Sequence, residues 1–294
     1  MIDSGGWYIA YYMGLFHYIF TTYGVDAFTD VYFTGISAGG QTCGYCVATV
    51  HGCKDMRYWL EHGPIQAIST GQYGVGRLGV GCYNAGKRFY NKLHRKQRIA
   101  IQRYYSALCT DWMLRPYLCD DIDNAVDFGC AVAATGNVPF MMSALPWKFR
   151  DAHLWDGNLN AYINNLHYAY TDNTVLFTFE SLGTHAHVVD LSKWAAYSIA
   201  DSFVTSLCTQ REAIQRTRTL FLVGYEHAKT HEAEIEQRLI DIGIPICKAE
   251  RINSARKGRG KLSRKSCFPR GWFASQRRWS TVRGECSAPY HVVH

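Results

Sequence analysis

The sequence lacks the long apolar runs that a membrane-spanning helix requires. Its longest such run, residues 7–20, is interrupted by Gly14 and His17 and falls short of the roughly 20 residues that a span needs. The amino terminus also lacks the basic segment of a secretory signal peptide and carries Asp3 instead. We therefore expect a cytoplasmic protein without a signal peptide or transmembrane helix, one that associates with membranes only peripherally.

Motifs for metal and redox chemistry are also missing. Of the 11 cysteines, only Cys43 and Cys46 have CxxC spacing, and no second pair or histidine cluster accompanies them. On the helix predicted there, a spacing of three places both thiols on one face, which favours buried, reduced cysteines. His185 and His187 alternate along a strand without a third ligand nearby in the sequence. We predict no metal site and no cofactor.

Basic charge is scarce in most of the chain and concentrated near its end. Residues 248–294 contain twelve Lys or Arg against two acids, although the net charge of the whole chain is only +7. We predict a folded domain over residues 1–250 and a basic, disordered tail over residues 251–294. The tail either binds an anionic membrane or nucleic acid, or it is merely solvated. Because the charge lies in the tail, nucleic acid is not an expected partner of the domain.

The first fifty residues predict a regular succession of elements. A glycine turn at Ser4-Gly5-Gly6 follows a strand end, and residues 7–23 read as a buried helix. Residues 30–34 are β-branched and aromatic, typical of a buried strand, and a tight turn over residues 35–39 leads into a helix of small residues. This alternation predicts an α/β fold with a mostly parallel sheet.

The later segments are less regular. Residues 71–81 are rich in glycine but lack the Gly-Lys-Ser/Thr ending of a phosphate loop, so we predict a flexible loop. Further predictions are a solvated helix over 87–103, strands over 126–134, 152–155 and 174–180, and a helical region over 211–241 interrupted at Gly224.

Gly35-Ile36-Ser37-Ala38-Gly39 fits the GxSxG pattern of a nucleophile elbow. The pattern requires a strand before the serine and a helix after it, and both are predicted here. The amino terminus of that helix favours a developing oxyanion. A serine hydroxyl also needs a base to remove its proton.

Two features limit the choice of that base. The order Ser, Asp or Glu, then His belongs to a fold with several strands ahead of the serine, whereas only 36 residues precede Ser37. The Gly5-Gly6 turn offers backbone amides for an oxyanion.

Asp156-Gly157 is a common turn pair, and only its position after a predicted strand marks Asp156 as a candidate base.

Taken together, the glycine turn at residues 4–6 with its apolar helix, the serine turn at 35–39 and Asp156-Gly157-Asn158 resemble the patatin-like phospholipase family in order and spacing. The helix without Lys or Arg is closest in style to the triacylglycerol-lipase branch. Residues 133–139 resemble the small-residue turn before the Asp strand, and residues 224–228 resemble a late helix of the family.

The resemblance implies a three-layer sandwich, with a mostly parallel central sheet and helices on both faces. It implies a serine acyl hydrolase of lipid esters, with Ser37 as nucleophile, Asp156 as base, and the amides of Gly5 and Gly6 as the oxyanion hole. The substrate would be a glycerolipid or phospholipid, met at a membrane or lipid-droplet surface, and no cofactor is needed.

The motifs depart from the family's pattern at three positions. Ser4 and Ile9 occupy the outer glycine positions of the first motif, and Asn158 replaces a Gly or Ala. These departures leave open a weakened or inactive lipid- or membrane-binding protein. A Ser-His-Asp triad is a further alternative, and the histidines weighed for it are His167, His185, His187, His227 and His231.

Overall fold

Helices account for most of the structure, a computed structural model that describes residues 1–71, 78–140, 142–159, 173–179, 187–195 and 207–246. We number the helices α1 (Ile9–Tyr23), α2 (Ala38–Val50), α3 (Met56–Leu60), α4 (Gln66–Ser69), α5 (Leu78–Lys92), α6 (Arg95–Tyr104), α7 (Ala125–Thr135), α8 (Gln210–Thr230) and α9 (Glu232–Asp241). The predicted tail, residues 251–294, lies outside the described residues, as do most of the glycine-rich loop and the histidines at 167 and 185.

Among the described residues, seven short strands are arranged as a five-stranded sheet and a two-stranded one, and Ile2 bridges the two. The strands are β1 (Phe33–Ile36), β2 (Tyr105–Asp111), β3 (Pro116–Cys119), β4 (Trp147–Phe149), β5 (Ala152–Asp156), β6 (Leu176–Thr178) and β7 (Val188–Asp190). β1 pairs with β2 in parallel, and β6 pairs with β7 in parallel. β2 pairs with β3 and with β5 antiparallel, as β5 does with β4.

The mixed α/β architecture is confirmed, but the sheet is not the mostly parallel one that the sequence predicted. Three of the five strand pairings among the described residues are antiparallel. The reason is that β3 returns from β2 through a short turn, and β5 returns from β4 in the same way. Hairpins of this kind need only a few residues, whereas parallel neighbours need a long crossover.

The segment before the glycine turn is a strand end, as predicted. Ile2 bridges in parallel to Gly35 of β1 on one side and to Phe177 of β6 on the other. The N–H of Ile2 donates to the carbonyl of Thr34 over 3.0 Å, and the N–H of Asp3 donates to that of Phe177 over 2.9 Å. The glycine turn is therefore fixed to the centre of the sheet.

Apolar helix α1 packs on the sheet and forms much of the core. The ring of Phe16 contacts Phe33 of β1 and Phe177 of β6, with 6.4 and 5.0 Å between ring centroids. Helix α8 packs along α1, while α2 and α7 contact the strands and α5 packs on α7. Within the described ranges, no helix has both the length and the apolarity to cross a membrane.

Two predicted boundaries and one predicted strand are wrong. The segment predicted as a strand over 126–134 is helix α7, because Asn124 caps it by accepting hydrogen bonds from the backbone of Val126 and Asp127. Residues 87–103 belong to two helices that meet at Leu93 and His94. Helix α8 continues through Gly224 and ends at Thr230 instead.

Candidate active site

Ser37 lies at the sharp turn between β1 and α2, as the sequence predicted. Its backbone has φ 53° and ψ −121°, a conformation that glycine adopts freely and other residues rarely do. A non-glycine residue in such a conformation carries strain of about 1–3 kcal/mol, and strain of this kind is frequent at functional sites. Ser37 is buried, with 7% of its surface exposed, and it lines a cavity.

The turn requires glycine at the neighbouring positions because the backbone is crowded there. A Cβ atom on Gly39 would lie 2.2 Å from the carbonyl oxygen of Ile2, and one on Gly35 would lie 2.5 Å from the carbonyl carbon of Gly39. Both distances are too short for any side chain. The serine turn therefore packs directly on the strand end that precedes the glycine turn.

A threonine from α7 holds the strained serine in place. The backbone N–H of Ser37 donates to the Thr135 hydroxyl over 2.9 Å, and that hydroxyl donates to the carbonyl of Leu108 over 2.7 Å. The amide of Ser37 is thus already used and is not an oxyanion donor in this arrangement. No local sequence pattern indicates this contact, because the two residues are 98 positions apart.

Asp156 lies at the end of β5, with only 3% of its surface exposed. Its N–H donates to the carbonyl of Asn137 over 3.1 Å, so Asn137 takes the place of a strand partner there. Oδ1 accepts a hydrogen bond from the N–H of Asn158 over 2.9 Å. Oδ2 is buried and has no hydrogen-bond partner in the described part of the chain.

The sheet register brings Ser37 and Asp156 to the same level. Strands β1 and β5 follow one another along the same side of β2, because β3 occupies the other side of both pairing segments. Their ends meet: a Cβ atom on Gly157, just after β5, would lie 3.0 Å from Cγ2 of Ile36 at the end of β1. The side chains of Ser37 and Asp156 therefore start from neighbouring points of the backbone.

The pKa of Asp156 is raised to about 7, chiefly by burial and to a smaller extent by the negative charge of Asp3. Hydrogen bonding from the Asn158 backbone and from the Ser37 hydroxyl lowers this pKa. The hydroxyl is therefore close enough to stabilise the carboxylate, although no hydrogen bond of good geometry reaches Oδ2. A carboxylate with a pKa near neutrality is suited to general base catalysis.

The glycine turn lies on the other side of Ser37. Gly6 begins a short 3-10 turn with φ 49° and lines the same cavity as Ser37. Gly5 precedes it, packs against the ring of Tyr12, and does not line that cavity. Neither amide donates to a partner within the described ranges, so both remain available to an incoming oxyanion, and Gly6 is the better placed of the two.

The cavity beside Ser37 is mostly apolar and has a volume of about 110 Å³. An apolar cavity of roughly this size holds a small hydrocarbon group, so it fits part of an acyl chain rather than a whole lipid. Its lining includes the side chains of Trp7, Ile9, Ile68, Leu78, Val138 and Met142.

Three of the five histidines weighed for a triad lie in described segments, and each has a contact elsewhere. Nδ1 of His187 is 3.6 Å from Oδ2 of Asp241, and Nδ1 of His227 is 3.1 Å from the Tyr11 hydroxyl. The His231 ring stacks on Trp194 with 4.4 Å between centroids. No contact between these three histidines and Ser37 or Asp156 is present among the described residues.

The CxxC cysteines are as the sequence predicted. Cys43 and Cys46 are buried free thiols on α2. Burial raises the pKa of both thiols above the usual range, which keeps them protonated and unreactive.

No protein-family model matches the chain, and no curated protein sequence matches it significantly. The resemblance to the patatin-like family therefore stays a prediction from three short sequence motifs.

Proposed function

We propose that this protein is a serine acyl hydrolase of lipid esters that uses Ser37 and Asp156 as a catalytic dyad. The observation that carries this proposal is the pairing of a serine in a glycine-type turn with a buried carboxylate whose Oδ2 has no other partner in the described segments. We also propose that the domain is a patatin-like three-layer sandwich. The mixed α/β architecture and the order of the three motifs along the chain support this fold.

The reaction would proceed through an acyl-enzyme. Oδ2 of Asp156 accepts the proton of the Ser37 hydroxyl while Oγ attacks the ester carbonyl carbon, and the amides of Gly6 and Gly5 bind the oxyanion. The carbon–oxygen bond of the ester then breaks, and the departing alcohol takes the proton from Asp156. Water attacks the acyl-enzyme with Asp156 again as base, which releases the carboxylic acid and restores Ser37.

The surroundings of the site support a lipid substrate. The exposed large apolar side chains of the described residues include four in the segments around the site: Trp112 (70%), Met113 (55%), Phe140 (82%) and Leu145 (72%). We call these four residues the apolar rim. Exposed apolar groups beside an apolar cavity mark surfaces that bind hydrophobic partners.

The sheet topology places the apolar rim at the same edge as Ser37. Trp112 directly follows the carboxyl end of β2, which is parallel to β1. Leu145 lies just before β4. The first residue of β4, Trp147, pairs with Leu154 of β5, and Leu154 in turn pairs with Asp111 at the end of β2. Met142, between Phe140 and Leu145, lines the cavity itself. A membrane or lipid-droplet surface that contacts the rim would therefore present acyl esters to Ser37.

The apolar rim also favours the second candidate, a lipid-binding protein without activity, because binding to a lipid surface needs no nucleophile. The departures at Ser4 and Asn158 lie next to the site and motivate the same alternative. The two candidates differ in one property, the reactivity of the Ser37 hydroxyl.

Labelling with a fluorophosphonate probe and hydrolysis of p-nitrophenyl butyrate separate the two candidates. We expect the probe to attach to Ser37, and we expect Ser37→Ala and Asp156→Asn to lower turnover by at least about 10³-fold. Ser192→Ala and Asp123→Asn are matched controls at positions that do not line the cavity and should retain turnover. A folded wild-type chain that is neither labelled nor active would support the lipid-binding alternative.

The same assay decides between the dyad and the triad. Alanine variants of the five candidate histidines should retain turnover if Asp156 is the base. Loss of turnover in His167→Ala or His185→Ala, with labelling at Ser37 also lost, would replace the dyad by a triad.

A further inference from the structure

Ser4 and Asn158 are 154 positions apart in the chain, yet their side chains are hydrogen-bonded. Nδ2 of Asn158 donates to the hydroxyl oxygen of Ser4. Ser4 directly precedes the glycine turn, and Asn158 follows Asp156 by two residues. The contact therefore joins the segment that carries the oxyanion donors to the segment that carries the base.

Asn158 contacts both sides of this junction. Its backbone N–H donates to Oδ1 of Asp156 over 2.9 Å, while its side chain reaches Ser4. Because Oδ1 is occupied in this way, the rotation of the carboxylate is fixed. Oδ2 is then the oxygen that remains to accept the Ser37 proton.

Ser4 is held from several directions. Its N–H donates to Oδ1 of Asp3 over 2.7 Å, and the Tyr12 hydroxyl donates to its carbonyl over 2.9 Å. Oδ2 of Asp3 accepts a hydrogen bond from the Thr178 hydroxyl of β6 over 2.7 Å. Ser4 is 8% exposed and Asp3 is 4% exposed, so this arrangement is shielded from water and less easily disrupted.

We propose that the Ser4–Asn158 hydrogen bond is a clamp that sets the distance between the base and the oxyanion amides. This inference rests on the proposed function. Ser4 and Asn158 are positioning residues in it, since Asn158 acts through Asp156 and Ser4 acts through Gly5 and Gly6. The family's pattern has Gly at the position of Ser4 and Gly or Ala at the position of Asn158, and none of these has a polar side chain. The two departures from the pattern therefore compensate each other, because each polar side chain is the hydrogen-bond partner of the other.

The clamp has a distinct kinetic consequence. A misplacement of about 1 Å between catalytic groups lowers a rate by up to about 100-fold, whereas the binding of a small ester in the apolar cavity does not involve these residues. Loss of the clamp should therefore lower kcat and leave KM nearly unchanged.

A double-mutant cycle on the full chain tests the clamp, with p-nitrophenyl butyrate as substrate. We expect Ser4→Ala and Asn158→Ala each to lower kcat by about tenfold, and the double variant to lose no more than the single ones, because each change removes the same bond. Gln102→Ala, which removes an amide hydrogen bond to Asp123, is the matched control and should leave kcat unchanged. Thermal unfolding of each variant separates misfolding from misplacement.

The outcomes are distinguishable. Losses that multiply in the double variant, single variants as active as the wild type, or a rise in KM at constant kcat would overturn the clamp while leaving the hydrolase proposal intact. A wild-type chain that neither turns over the ester nor reacts with the fluorophosphonate at Ser37 would overturn the proposed function, and the catalytic role of the clamp with it.

Discussion

At the scale of single residues, Ser37 combines a hydroxyl side chain with a backbone conformation that suits glycine. The chain accepts this strain at φ 53°, so a residue without a Cβ should relieve it. We expect Ser37→Gly to raise the free energy of unfolding by about 1–3 kcal/mol and to abolish labelling by the fluorophosphonate. Urea unfolding monitored by circular dichroism measures the first effect.

The matched variant for this prediction is Ser37→Ala. Alanine also lacks the hydroxyl, but its Cβ keeps the strain, so it should be inactive without being stabilised to the same extent. Equal stability of the glycine and alanine variants would show that the turn is not strained.

The second residue-scale prediction concerns the pH dependence of turnover. Only the ionised form of Asp156 can accept the Ser37 proton, and its pKa is about 7 because the group is buried. We expect kcat/KM for a neutral ester to rise with pH, with an apparent pKa near 7, and to level off at higher pH. Initial rates from pH 5 to 9 measure this, and a profile that is flat across neutrality would contradict Asp156 as the base.

The contribution of Asp156 to the free energy of unfolding should fall as pH rises, whereas turnover should increase. The folded pKa of Asp156 lies above the roughly 3.9 of an unfolded aspartate, so between these values the folded state holds a proton that the unfolded state has lost. The contribution of Asp156 to the free energy of unfolding therefore decreases as pH rises from about 4 to 7, by up to about 4 kcal/mol. Asp156→Asn should thus gain stability relative to the wild type over this window.

The contribution of Asp111 to the free energy of unfolding should depend on pH in the opposite way to that of Asp156. Burial raises its pKa, but hydrogen bonds from Arg115 and Met113 outweigh burial and lower it overall. Its carboxylate stabilises the fold once ionised, and this contribution is lost at low pH as the folded pKa is approached. Asp111→Asn should lose stability relative to the wild type as pH rises, the opposite of Asp156→Asn.

At the scale of elements, the sequence predicted best where local signals agree. The glycines at 35 and 39, the apolar strand before them and the small residues after them all act within a few positions, and β1, the turn and α2 are present as expected. Strand β5 before Asp156 and the short strand β6 are also confirmed. The positions of Ser37 at its turn and of Asp156 at the end of its strand were therefore predictable.

The prediction failed where an apolar run has two interpretations. Residues 126–134 contain valine, phenylalanine and alanine, and periodicity alone does not separate a buried strand from a buried helix. The decisive signal was the cap at Asn124, with Asp127 in the first turn of the helix. An acidic residue there also stabilises the helix through its dipole.

The supporting contacts could not be predicted because they join distant parts of the chain. Thr135 bonds to the Ser37 backbone across 98 positions, and Asn158 bonds to Ser4 across 154. Neither residue has a local pattern that distinguishes it from an ordinary turn residue. Only the fold brings such pairs together, which is why Ser37 and Asp156 could be predicted as candidates and the contacts that hold them could not.

The element-scale prediction concerns the crossing of α1 and α8. Gly224 was predicted to interrupt the helix, but a Cβ there would lie 2.1 Å from the Tyr11 carbonyl oxygen of α1. Gly14 makes the reciprocal approach, with a Cβ position 1.9 Å from the Phe221 carbonyl oxygen. The two glycines therefore allow the helix backbones to touch.

Helix propensity and packing make opposite predictions for Gly224→Ala. Propensity alone would stabilise the helix by about 1 kcal/mol, whereas overpacking at a backbone contact costs about 1–3 kcal/mol or more. We expect packing to dominate, with a net loss in the free energy of unfolding. Thr219→Ala, an exposed position on the same helix, is the control and should be neutral or stabilising. A stabilised Gly224→Ala variant would mean that the helices do not cross at this point.

At the scale of the whole molecule, the proposed binding to a lipid surface would use two different forces. The apolar rim would act by burial of hydrocarbon, which salt affects little. The basic residues of the segment 251–294 would act by electrostatic attraction, at about 1 kcal/mol for each Lys or Arg near an anionic surface. Salt shortens the range of this attraction from about 10 Å at 0.1 M to about 3 Å at 1 M.

Sedimentation of the full chain with lipid vesicles should therefore resolve two components. On neutral phosphatidylcholine vesicles we expect salt-independent binding that falls about 10²- to 10⁴-fold in a Phe140→Ser/Leu145→Ser variant, because each of the two side chains contributes about 1.5–3 kcal/mol when buried. On vesicles that contain phosphatidylserine, the same variant should keep a component that disappears at high salt. Hydrolysis of soluble p-nitrophenyl butyrate should be unchanged in the variant, since the ester reaches Ser37 without a surface. Unaltered binding of the variant to neutral vesicles would show that the rim does not contact lipid, and the preference for lipid esters would then depend on the cavity alone.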